Sequence, residues 1–171
     1  MAMALLLATA LALVGLVFTS VQGFAVTAGP LVTRHVGYAI PTVLFSLFSQ
    51  SMVIFYFIGT GKLVKAEVAN FAEPDRTTIL RALARFKMQT SPPATFALLA
   101  AIAVFVLGGA AHTRALPPVV HLAAALAAVA THLWAFLAEW RAFAENNRLM
   151  DDPRAWAKAV LNATGREPSG S

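Results

Sequence analysis

Four long stretches of this chain, Met1–Thr33, His35–Gly61, Met88–Thr113 and Ala115–Ala138, contain no Lys, Arg, Asp or Glu. A helix needs about 20 apolar residues to cross the hydrocarbon core of a bilayer, and each stretch is long enough. Peptide groups in lipid have no water to bond to, so a spanning segment must be a helix or a strand of a closed barrel. The alternating pattern of a barrel strand is missing from these runs. The sequence therefore predicts an all-α integral membrane protein, a four-transmembrane-helix bundle with short amphipathic helices on the inner surface. Composition agrees: 12% of residues are charged, against about 25% in soluble domains.

The positions of the charges predict the topology. If the helices alternate in direction, one side of the membrane carries only Arg34 and Arg114. The other carries Lys62, Lys65, Arg76, Arg81, Arg85, Lys87, Arg141, Arg148, Arg154, Lys158 and Arg166, together with every acidic residue. Cytoplasmic loops retain excess Lys and Arg, which places both termini inside and the protein in the cell (inner) membrane. The basic face, with Arg76, Arg81, Arg85 and Lys87 as its membrane-surface residues, suits anionic lipid headgroups. A net charge of +5 would point a soluble protein toward nucleic acid, but here its placement points to lipid, and no nucleic acid partner is expected. The absence of cysteine excludes disulfides, thiolate metal sites, iron–sulfur clusters and thiol redox chemistry.

Along the chain, helix 1 is expected over about 4–28, closed by Gly29-Pro30. Leu5–Phe18 followed by Val26-Thr27-Ala28 has the outline of a secretory signal. No basic residue precedes it and its apolar character outruns a signal core, so a retained helix is expected. Helix 2 spans about 36–58 and exits at Gly59-Thr60-Gly61, a run that lacks the spacing of a phosphate loop. Ile79, Leu80, Leu83 and Phe86 recur at helical spacing among basic residues and predict a separate amphipathic helix on the inner surface. Helix 3 (about 93–110) begins after the capping Ser91 at Pro92-Pro93, and helix 4 (about 117–147) at Pro117-Pro118. These four make one domain over 1–150; a short surface helix and flexible tail occupy 151–171.

Polar side chains inside a membrane are costly and mark candidate sites. His35 opens helix 2, His112 closes helix 3 and His121 lies near the start of helix 4, so three imidazoles meet at the outer rim. His132 returns to the same face of helix 4, deeper in. On that face His121, Ala125, Ala128, His132, Ala135 and Glu139 form one stripe; helix 2 offers His35, Ala39, Thr42, Ser46, Ser49 and Gln50. Facing each other, the stripes would make a polar seam marked by Gln50 and Glu139. Histidine flanked by alanine suits a flat macrocycle, because imidazole ligates haem iron and a missing side chain leaves room for the ring. His121 with His35 or His112 is the best pair; His132 has no second histidine at its depth. Tyr56, Trp134 and Trp140 are expected in interfacial belts, and Glu139 in a pair with Arg141 or Lys62.

No nucleophile-and-base arrangement, zinc-helix motif or carboxylate pair suggests a hydrolase, and the chain reads as having no catalytic activity of its own. The first functional expectation is an accessory or assembly subunit that packs against other subunits of a larger membrane complex. The alternative is a b-type haem electron-transfer subunit with ligands among His121, His35, His112 and His132. A proton or small-solute channel using the His121–His132–Glu139 stripe is the third. The lack of a carboxylate in the middle of any helix weighs against a coupled transporter.

Overall fold

The computed structural model describes residues 1–26 and 29–165. Five α-helices account for nearly all of them: α1 (Ala2–Phe24), α2 (Pro30–Glu67), α3 (Asp75–His112), α4 (Pro118–Asp151) and α5 (Pro153–Ala163), with a single 3-10 turn at Val68–Asn70. The first four are long and apolar enough to cross a membrane. Thr27 and Ala28 of the expected first helix, and the expected tail from Arg166 to Ser171, lie outside the described residues.

The helices run up and down in a ring. α1 packs on α2, α2 on α3, α3 on α4, and α4 closes back on α1, leaving α2 and α4 diagonal and parallel. One end of the bundle, the hairpin end, carries the α1–α2 and α3–α4 turns. The other carries Ala2, the α2–α3 connection and α5. The buried positions explain the arrangement: Ala2, Leu5, Thr9, Ala12, Leu16 and Thr19 on α1, and Ala125, Ala128, His132, Ala135, Glu139, Ala142, Asn146 and Leu149 on α4. Both series alternate steps of three and four. That 3.5-residue repeat keeps one seam facing its neighbours in a left-handed bundle. Toward the hairpin end the core is made of small residues, with Ala97, Ala101 and Ala128 fully buried; at the other end Ile79, Phe86, Phe143 and Leu149 fill it.

Three expected boundaries are corrected. Helix 2 does not stop at Ile58 but continues through Gly59-Thr60-Gly61 to Glu67. Nothing approaches within 4 Å of a Cβ built on Gly59 or Gly61, so both lie on the open face. The cost there is only helix propensity, about 1 kcal/mol each, while Val53, Phe57, Thr60 and Val64 stay buried in phase. Helix 3 does not begin at Pro93. The segment expected as a separate inner-surface amphipathic helix is its first half, and α3 passes through Pro92-Pro93 unbroken. Ile79, Leu83, Phe86, Thr90, Ala94, Ala97, Ala101 and Val104 form one buried stripe across the prolines. Helix 1 ends at Phe24, short of the expected limit.

Two turns set the level of the helices at the hairpin end. Gly29 precedes Pro30 at φ 55°, ψ −125°, a conformation open to glycine because it has no Cβ. After α3, Arg114 takes φ 61°. The amide of Ala115 then donates to the Ala110 carbonyl at 2.9 Å, the closure of a Schellman turn that usually has glycine at this position. α5 is capped by Asp152, whose Oδ1 accepts from the amides of Arg154 and Ala155 at 3.1 and 2.9 Å. It packs on α3 and α4 through Ala157 and Leu161.

Candidate functional site

Pro30 opens α2 and Pro118 opens α4, so each diagonal helix presents a histidine close to its start: His35 and His121. Their rings meet across the bundle in an edge arrangement, with centroids 6.3 Å apart and planes at 75°. Both are half-buried. They make no hydrogen bond to each other, and Nδ1 of each is shielded from solvent without a partner among the described residues. On α1 and α3, glycines lie against these rings. A Cβ on Gly108 would come within 2.9 Å of the His121 Cε1, and one on Gly23 within 3.6 Å of the His35 Cε1. His112, expected at the same rim, is exposed at the end of α3 and has no part in this pair.

Below the pair, polar side chains continue down the inside of the bundle. The same sequence offset separates His35 from His121 and Phe57 from Phe143, which stack at 5.1 Å, and it carries Ser46 to the level of His132. Both are buried. Nδ1 of His132 lies 2.8 Å from the Ala128 carbonyl. A carbonyl only accepts, so this nitrogen carries the hydrogen; Nε2 has no partner among the described residues. Two turns further on, Glu139 is fully enclosed. Gln50 of α2 and Thr9 of α1 are its polar neighbours. Neither meets hydrogen-bonding geometry, and both carboxyl oxygens and both amide atoms of Gln50 are unpartnered.

Glu139 therefore does not pair with Arg141 or Lys62 as expected. The ion pair formed among the described residues is Arg85–Glu145, half-exposed on the surface of α3 and α4. Arg76, Arg81 and Lys87 are exposed on the same stretch of α3. Tyr56 is not in an interfacial belt but buried, donating to Asn147 Oδ1 at 3.1 Å and accepting from Asn146 Nδ2 at 3.2 Å. Trp134 and Trp140 are exposed.

Sequence reasoning missed Thr9, Thr90, Tyr56 and Asn146 as members of this interior. The signal that finds them is spacing in steps of three and four: Thr9 is in step with Leu5 and Ala12, Tyr56 with Val53 and Thr60, Thr90 with Phe86 and Ala94, and Asn146 with Glu139 and Ala142. Among the described residues no group of three or more His, Asp or Glu is placed to hold a metal ion. Comparison with known proteins finds no matching family model, no matching curated protein and no matching solved structure.

Proposed function

We propose that this chain is a small integral membrane subunit of a larger membrane complex, seated in the inner membrane with both termini cytoplasmic, and that His35 and His121 hold a b-type haem for electron transfer. The observation that carries the reading is the spacing of the two rings. Two imidazoles that both bound one iron through nitrogen, at about 2 Å each and with about 1 Å from nitrogen to ring centre, would have their ring centres about 6 Å apart. The centroids stand at 6.3 Å. A bare metal ion would find only two side-chain ligands here, whereas structural and catalytic zinc sites draw three or four from the protein. Haem brings its own four nitrogens and needs only the axial pair. α1 and α3 flank the pair, and Gly23 and Gly108 on them make room for the two imidazole rings. The bound group would supply one-electron exchange; the protein would fix its axial ligands and surround it with apolar helices.

The absorption spectrum of the purified chain, oxidised and then reduced, tests the proposal. A Soret band with sharp reduced bands, lost in both His35→Ala and His121→Ala but kept in His112→Ala, is the expected result. A colourless preparation from haem-replete cells refutes the haem assignment, and co-purification with larger subunits then leaves the accessory role. Reporter fusions at Arg81 and Arg148 test the sidedness; activity of cytoplasmic reporters at both is expected.

A further inference from the structure

The interior around Glu139 has an excess of hydrogen-bond acceptors. Thr9 gives its hydroxyl hydrogen to the Leu6 carbonyl at 3.1 Å, Ser49 to Ser46 at 3.1 Å and Thr90 to Phe86 at 2.8 Å. Each hydrogen is turned back into its own helix, so what these hydroxyls offer the interior is lone pairs. The two Glu139 oxygens and Gln50 Oε1 are further acceptors, and all of them are unpartnered. Against these stand two donors, Gln50 Nε2 and the Ser46 hydroxyl one turn before it, both unpartnered. Thr9, Gln50, Thr90 and Glu139 are each at least nine-tenths buried.

Among the described residues no counter-charge faces this carboxyl. α1 has no ionisable side chain over Ala2–Phe24, the buried residues of α3 include none, and the buried residues of α2 include only Tyr56, more than one turn beyond Gln50. On α4 itself the nearest buried ionisable group is His132, two turns away. A carboxylate enclosed without a cation is among the most expensive arrangements a protein can hold. A cage of oxygens lacking positive charge is also what a hard cation requires.

We propose that Glu139, Gln50 and Thr9 form a site for one exchangeable monovalent cation, a sodium ion or a proton, held on the Glu139 carboxyl and steadied by the Gln50 amide and the Thr9 hydroxyl. The site is separate from the histidine pair and does not depend on haem. The three helices that build the site are held together across it, and filling it stabilises their packing.

The test uses the full chain in detergent, comparing thermal unfolding in sodium chloride and in choline chloride at equal ionic strength. A ligand that binds only the folded state at about ten times its Kd raises Tm by about 3–5 °C for a chain of this size. The sodium form of the proposal expects that rise, its loss in Glu139→Gln, and about tenfold weaker sodium dependence in Thr9→Val, which keeps the side-chain shape. The proton form is read by N,N′-dicyclohexylcarbodiimide, which adds to protonated carboxyls, with mass spectrometry locating the product. It expects labelling at Glu139 that is indifferent to sodium, falls as pH rises, and moves along the pH axis in Gln50→Leu. The inference is overturned if sodium leaves Tm unchanged and Glu139 is labelled no faster than surface Glu145 at any pH. Should Glu139→Gln fail to fold, Thr9→Val and Gln50→Leu carry both readouts.

Discussion

The contact between Gly108 and His121 sets up a comparison between two adjacent glycines. Replacing Gly108 by alanine would put a methyl group 2.9 Å from Cε1 and 3.3 Å from Nδ1 of the His121 ring. Carbon atoms in contact prefer about 3.5–4.0 Å, so the ring must retreat by roughly half an ångström or more. Overpacking of this kind costs about 1–3 kcal/mol. Alanine is favoured over glycine within a helix by about 0.5–1 kcal/mol, which partly offsets it. Gly109 is the control: it sits on the same helix and nothing lies within 4 Å of its Cβ position. Gly109→Ala should show the helix gain alone, leaving Gly108→Ala less stable than Gly109→Ala by about 1–3 kcal/mol. Denaturant or thermal unfolding of the two variants in the same detergent measures the difference. If His121 is a haem ligand, the same displacement should weaken haem retention by about tenfold for each 1.4 kcal/mol. Equal stability of the two alanine variants would refute the packing of His121 on Gly108, and with it the geometry of the histidine pair.

Phe143 is buried between Tyr56 and Phe57 with centroids at 5.1 Å from both, and Phe143→Ala should cost about 3–5 kcal/mol in an unfolding titration. Asp152→Ala removes both bonds that cap α5 and should lower stability by about 1 kcal/mol, with hydrogen exchange rising first along α5. Arg114 holds a left-handed conformation, so Arg114→Gly should raise Tm, the strain relieved being about 1 kcal/mol. The half-exposed Arg85–Glu145 pair should be worth under about 1 kcal/mol in a double-mutant cycle, falling further in high salt.

Most of the architecture was legible in the chain because lipid-compatible helices must be free of charge over their whole crossing, and four such runs are plain. The ends of the helices were harder to read. Ser91-Pro92-Pro93 has the chemistry of a helix start, and Gly59-Thr60-Gly61 that of an exit. Local chemistry lost in both places to tertiary packing. The buried stripe from Ile79 to Val104 stays in phase across the prolines, and the one from Val53 to Val64 across the glycines. Pro92 and Pro93 take the helical donors only from the carbonyls of Met88 and Gln89, four residues before them, and interior prolines are tolerated where neighbours satisfy such freed groups. The meeting of His35 with His121 was legible as a pair at one rim. The exclusion of His112 was not, since it is the last residue of α3, beyond the buried stripe that ends at Val104. Glu139 resembled a surface residue because Arg141 follows so closely; its phase with Ala135 and Ala142 places it in the core.

The two long helices α2 and α3 contain 38 residues each, about 57 Å at 1.5 Å per residue, nearly twice the hydrocarbon thickness of about 30 Å. Near α5 their extra length is closed by Val64, Val68, Ile79, Leu83 and Leu149, bulky side chains whose association water itself rewards. If the opposite end lies in lipid, its alanine and glycine surfaces gain nothing from water's retreat and rely on close fit. Harsh solubilisation should therefore fray the molecule from its hairpins downward, releasing the imidazoles first and leaving the pillar beside α5 standing.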